Sequence, residues 1–213
     1  MTVSDAMAYE LYYIGRDTVP HEVILGAGEK RDITLVALPG VSDQLSMRVV
    51  LSGEGAQVRV NGLYICHADE KLAITVDVEH RVPHCVSNQL FKGIVGGNAS
   101  ASFYGKIIVA QDAQKTEAYQ ANHNILLSEG AKVNAKPQLE IYADDVKCSH
   151  GATVGRMDEE EAFYMRSRGI PEKEARLLQM ISFLHPVIAE IGDEDIREGL
   201  SSEIERNLRQ FVL

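Results

Sequence analysis

Two short runs gather side chains that could bind metal or act as nucleophiles. The first is Asp144-Asp145-Val146-Lys147-Cys148-Ser149-His150-Gly151. On an extended strand, residues two apart point to the same side, so Cys148 and His150 project together, with Asp144 further along that face. A thiolate beside an imidazole is a good donor pair for iron, zinc or copper. Two donors leave a tetrahedral site half filled. The rest must come from elsewhere in the fold or from a second chain, which suggests shared, labile metal chemistry at an interface. The plainer alternative is a buried cysteine and a hydrogen-bonded histidine at the end of a β structure. A Cys/His hydrolase fits poorly, because same-face neighbours on a strand lie roughly 6–7 Å apart at Cα, too far for direct proton transfer without an orienting third group.

The second run is Glu79-His80-Arg81-Val82-Pro83-His84-Cys85. Its donors could ligate a metal, and a stand-alone metal-binding solenoid using His80, His84 or Cys85 is one alternative function. Pro83 removes the helical i, i+4 geometry that paired histidines often use, so an ordered turn with polar capping is the competing reading. The sequence holds no GxSxG elbow and no GxxxxGK[ST] phosphate loop, so an ATP-dependent step needs another protein.

The elements that must position these residues fall into two parts. From Val23 to about Val154, short strands are cut by small-residue turns. Leu72, Ile74, Val76 and Val78 alternate with Ala73, Thr75, Asp77 and Glu79, the period of a strand with one buried face. Val58/Val60, Ile107/Val109 and Leu139/Ile141 repeat the pattern. Gly26-Ala27-Gly28, Gly53-Glu54-Gly55, Gly96-Gly97-Asn98 and Glu129-Gly130 read as turns between them. The run Leu51-Ser52-Gly53-Glu54-Gly55-Ala56-Gln57-Val58 is echoed by Leu127-Ser128-Glu129-Gly130-Ala131-Lys132-Val133, which suits a stacked solenoid. Irregular turn spacing leaves a β-sandwich open.

After Gly155 the pattern turns helical. Asp158 with Glu161 resembles a capping box, and Gly169 is a natural left-handed stop. Pro171 opens a second helix through Ala175, Leu178 and Ile181, which Pro186 should end or kink. A third carries Ile196, Leu200, Ile204, Leu208 and Phe211 on one stripe, with Glu205 and Arg209 paired outside it. This small bundle either caps the open end of the solenoid or docks a partner.

Composition narrows the setting. The 213 residues are 45% hydrophobic, enough for a buried core, and carry a net charge of −10. No Lys/Arg cluster marks a nucleic-acid face, and no apolar run is long enough for a membrane span. Met1–Glu10 lacks the basic and apolar regions of an export leader. Three scattered cysteines, Cys66, Cys85 and Cys148, suit a reducing cytosolic compartment rather than a disulfide framework.

One long stretch resembles a known family. Pro137-Gln138-Leu139-Glu140-Ile141-Tyr142-Ala143-Asp144-Asp145-Val146-Lys147-Cys148-Ser149-His150-Gly151-Ala152-Thr153-Val154-Gly155, followed by Phe163-Tyr164-Met165-Arg166-Ser167-Arg168-Gly169-Ile170-Pro171, closely resembles the SufB/SufD family, and Lys-Cys-Ser-His-Gly looks like the SufD type. Weaker resemblance runs back through Leu126-Leu127-Ser128 and Ala118-Tyr119-Gln120 to Phe91-Lys92-Gly93.

The resemblance implies a right-handed parallel β-helix, a stacked β-solenoid, over residues 1–155 and a C-terminal helical ATPase-docking domain over 156–213. It implies a non-enzymatic scaffold for iron–sulfur cluster assembly, working with a SufC-like ABC-type ATPase and a SufB-like paralogue. His150, with Cys148, would then form a transient iron or cluster site at the partner interface, with no cofactor held stably by the chain alone. Phe163, Tyr164, Arg166, Arg168 and Gly169 fall in the ATPase-binding region. Family members also carry a substantial N-terminal region, whereas this chain begins almost directly with strands. A purely structural subunit of an ABC-ATPase complex remains the other alternative. Edge strands on a solenoid also invite a homodimer when the partner is absent.

Overall fold

The computed structural model describes residues 8–212. Residues 1–7, most of the stretch read for a leader, lie outside the described residues. Eleven strands come first: β1 (Ala8–Tyr13), β2 (Glu22–Leu25), β3 (Lys30–Ala37), β4 (Asp43–Leu51), β5 (Gln57–Cys66), β6 (Lys71–His80), β7 (Val86–Val95), β8 (Ser100–Val109), β9 (Glu117–Leu126), β10 (Lys132–Ile141) and β11 (Lys147–Gly155). Three helices follow: α1 (Glu159–Ser167), α2 (Glu172–Ile188) and α3 (Glu194–Arg209).

Successive strands alternate between two sheets. One has the order β1-β3-β5-β7-β9-β11 and the other β10-β8-β6-β4-β2. Every paired neighbour is parallel, so each odd–even pair is one coil of a solenoid. Gln57, Val86, Glu117 and Lys147 stand one above another in the ladder. This excludes the sandwich, whose sheets are antiparallel. The alternating residues read from the sequence do face inward: Val58, Val60, Leu72, Ile74, Val76, Val78, Ile107 and Val109 are all buried in one continuous interior cluster.

The corners explain the glycine pattern. Gly28, Gly55 and Gly97 take left-handed φ values of 65°, 74° and 63°. At Gly53 the reason is closeness rather than φ, because a Cβ there would overlap the Ala27 backbone one coil below. The echoed turn has a different meaning from the one its spacing suggests. Leu51–Val58 joins the even sheet to the odd one, whereas Leu127–Val133 joins odd to even. It is one turn chemistry used at opposite corners, and the coil repeat itself shows only in the register.

Asp158 caps α1 by accepting from the backbone N–H of Glu160 and Glu161, and Gly169 follows with φ 89°. Pro171 is the N-cap of α2. Pro186 does not end α2, which continues to Ile188. So near the C-terminus the missing N–H costs a single bond, and Ala189 N–H bonds the His185 carbonyl at 2.8 Å to close the last turn. The three helices do not cap the solenoid. Leu177, Met180, Leu184, Val187 and Ile188 of α2, with Leu200, Ile204 and Leu208 of α3, pack on Val36, Leu63, Ile65 and Ile94 from the outer face of the odd sheet. A second core therefore lies along the side of the solenoid, and the coil of β10 and β11 stays largely exposed.

Candidate functional site

β11 is the last strand of the odd sheet and pairs only with β9. Because successive side chains alternate, Cys148, His150, Ala152 and Val154 face the solenoid interior, where the next coil would stack if there were one. Cys148 is half-buried and packs against the interior cluster. Burial pushes its thiol pKa up, and the Ala118 backbone N–H partly opposes that. His150 is exposed, with no hydrogen bond, directly above Gln120 in the ladder.

Asp144 does not share this face. It lies in the bend before β11, so the strand alternation does not reach it. Asp145 ties down the same corner: its carboxylate pairs with Lys115 and its backbone N–H bonds Gln114 Oε1 at 2.9 Å. Among the described residues, no group of three or more His, Cys, Asp and Glu side chains could hold a metal ion. Cys148 and His150 are thus a two-donor set at an open end.

The second sequence run disperses. His80 ends β6 facing inward, fully buried, with its Nε2 2.8 Å from Ser87 Oγ. Cys85 is buried against the Gly53 carbonyl at 3.4 Å. His84 stands exposed on the corner at φ 61°, and Glu79 is engaged by Arg48 and Arg81. His80 and Cys85 are buried inward while Glu79 and His84 lie on the outside, and the capped-turn reading of this run is the one the geometry favours.

Composition and spacing gave no sign of a polar file inside the solenoid. Gln120 Nε2 donates to Gln89 Oε1 at 3.0 Å, Asn124 Nδ2 to Asn122 Oδ1 at 2.6 Å, and Tyr64 Oη to Asn124 Oδ1. All five side chains are buried. Gly105 makes room for Gln120, since a Cβ there would overlap its amide. The available signal was polar side chains at inward positions of β7 and β9: Gln89 and Gln120 stand in register with Val60, and Asn122 and Asn124 with Gly62 and Tyr64.

α1 presents a separate surface. Only Ala162 of this helix is buried, while Phe163 and Tyr164 are 69% and 58% exposed. The Arg168 guanidinium lies 5.2 Å over the Tyr164 ring, and Arg166 sits 3.9 Å from Glu172. Gln179 of α2 holds α1 in place, its Nε2 donating to the Asp158 carbonyl at 2.8 Å and to Glu161 at 2.9 Å. Two large aromatics thus stand exposed side by side on a helix fixed to the rest of the fold. Among the described residues, no helix is long and apolar enough to cross a membrane.

Comparison with known proteins adds a family. The model described as "SUF system FeS cluster assembly, SufBD core domain" matches residues 19–183. The iron-sulfur cluster assembly protein SufD of Escherichia coli is 42% identical over 158 residues, covering 74% of this chain and 37% of that protein. A SufBD family protein of Mycobacterium tuberculosis is 34% identical over 181 residues, covering 81% and 46%. SufD of Bacillus subtilis is 31% identical over 188 residues, covering 86% and 43%. The chain spans less than half the length of these relatives.

Proposed function

The chain belongs to the SufBD core family of the SUF iron–sulfur cluster assembly system, as a SufD-type member, and from that premise we propose that it serves as a scaffold subunit rather than a catalyst. One observation carries the reading: the last coil is uncovered on the face that presents Cys148 and His150. That end offers a partner the free edges of β10 and β11, along which strands can add, and an inward row on which another coil can stack. A SufB-like paralogue with the same coil geometry fits there, and its side chains would complete the donor set.

Iron or the growing cluster is cargo at this joint. Cys148, its thiol held protonated by burial, would release the proton as iron binds, since the thiolate is the ligand. His150 would offer one ring nitrogen as a ligand. The exposed face of α1, with Phe163, Tyr164, Arg166 and Arg168 ahead of the Gly169 stop, suits a SufC-like ABC-type ATPase. Closure of paired ATPases would move the two solenoids against each other and so open or assemble the shared site. Three free cysteines are consistent with a reducing cytosolic setting.

The test uses the chain as bait in lysate of its source, read by mass spectrometry. Capture of an ABC-type ATPase together with a larger β-solenoid paralogue is the expected result, and recovery of neither by folded bait refutes the reading. On the recovered complex, His150→Ala should lower cluster yield roughly tenfold or more, the scale of a lost metal contact. Unchanged yield with retained ATPase capture would instead make the chain a purely structural subunit. Stable metal on the isolated chain, lost on His84→Ala, would favour the stand-alone alternative, against which the separation of exposed His84 from the inward-buried His80 and Cys85 already argues.

A further inference from the structure

The polar file inside the solenoid has a direction. Ile33, Val60, Gln89, Gln120 and His150 occupy successive rungs of one inward-facing row. The first two rungs are apolar, as an interior should be. The next two are amides, and they are bonded to each other along the ladder: Gln120 Nε2 donates down to Gln89 Oε1 at 3.0 Å. That bond uses the amide nitrogen of Gln120 on the lower side. Its Oε1 is left buried with no partner, in a side chain only 3% exposed. A buried carbonyl without a donor is costly, so such an atom calls for a partner. The next rung up is His150, whose ring makes no hydrogen bond.

Adjacent strands stand roughly 4.8 Å apart, so a histidine and a glutamine in register can meet by side-chain rotation alone. We propose that Gln120, held by Gln89, is the positioning residue for His150: its Oε1 accepts one ring N–H of the imidazole and thereby leaves the other ring nitrogen as the free lone pair turned to the open end. Histidines that ligate metals commonly donate their second ring N–H to a carbonyl, which fixes both ring orientation and tautomer. Here the amide ladder supplies that carbonyl from within the coil beneath, and Gly105 keeps the space the Gln120 amide needs. The inference rests on the reading of His150 as a ligand, but its own test involves no metal.

The experiment is nitrogen NMR on the full chain labelled with 15N-histidine, at a pH where the imidazoles are neutral. A ring held on Gln120 shows one protonated and one bare nitrogen at well-separated shifts, while a free ring averages the two. Wild type should show the wide separation for His150. Gln120→Leu should narrow it, Gln120→Glu, which keeps an acceptor, should preserve it, and Gln89→Leu should narrow it in part. Unchanged shifts of the other histidines check that each variant is folded. An equal separation in wild type and folded Gln120→Leu overturns the proposal. If Gln120→Leu does not fold, the same narrow separation in wild type and Gln89→Leu overturns it. A wide, Gln120-dependent separation combined with unaltered cluster yield in His150→Ala would keep the positioning contact and refute the ligand role instead.

Discussion

At the scale of single residues, the interior histidine makes the most direct prediction. His80 is fully buried with Ser87 as its hydrogen-bond partner, and burial holds its pKa down to about 4 from an ordinary 6.5. Between those two values the unfolded chain binds a proton that the folded chain refuses. Stability therefore falls as pH drops from 6.5 to 4, by up to about 3 kcal/mol from this residue, and its contribution changes no further below. His80→Leu should cost roughly 1 kcal/mol near pH 7, because the Ser87 hydroxyl loses its partner. It should also flatten this part of the profile. Urea unfolding at pH 7 and pH 4.5 checks both, and an unchanged pH 7 to pH 4.5 difference in the variant means the ring is not held neutral. The pairing of His80 with Ser87 was not legible in the sequence, although the residues are only seven apart. In the sequence His80 belongs to a candidate donor run at a turn, whereas in the fold it ends β6 and meets its partner across the corner, on β7. Cys148 and His150 were legible because both sit on one strand, where spacing alone decides the face. Gln120 was not, because its relation to His150 depends on a register one whole coil long.

At the scale of elements, the corners hold the coils in register and the helices carry the proposed docking surface. Gly53→Ala places a methyl group against the backbone of Ala27, which cannot move without shifting the turn between β2 and β3. The expected loss is about 1–3 kcal/mol, seen as a lower urea midpoint with an unchanged slope. Full stability in that variant would show that the corner is not packed as tightly as described. The turns themselves were legible from their glycines, yet the echoed turn was misleading, since identical chemistry serves both corners. The helices were legible as elements, but not their seat. Their apolar stripes show that something must be covered, and the outer face of the odd sheet, with Val36, Leu63 and Ile94, is recognisable only once β3, β5 and β7 are paired. α1 makes the opposite kind of prediction. Phe163 and Tyr164 cover little of the chain's own core, so replacing both with serine should move stability by no more than about 0.5 kcal/mol per site. The same double variant should lose ATPase capture. Retained capture would move the docking site elsewhere on the helices.

At the scale of the whole molecule, the solenoid is closed along its side by α2 and α3 and open at the β10–β11 end. The open end has two unpaired edges and an exposed inward row, a surface that natural β proteins seldom leave bare unless something binds it. In isolation, a second copy of the chain is the nearest surface of matching spacing, so the purified protein should sediment as a dimer at micromolar concentration. Ala152 is the discriminating position. It is exposed in the middle of β11 and faces the interior row, so a lysine there disturbs nothing in the free chain. In a stacked pair the same charge would be driven into a dry joint, where an unpaired ammonium is strongly unfavourable. Ala152→Lys should therefore sediment as a monomer while its thermal midpoint stays within about 2–4 °C of wild type. A dimer that survives the substitution would place self-association on another surface. A wild-type monomer would mean that the open end accepts only a non-identical solenoid, and Ala152→Lys should then abolish capture of the larger paralogue while leaving ATPase binding through α1 intact. Loss of both partners together would show that the ATPase reaches this chain only through the paralogue, and that the exposed aromatic face of α1 is not its seat.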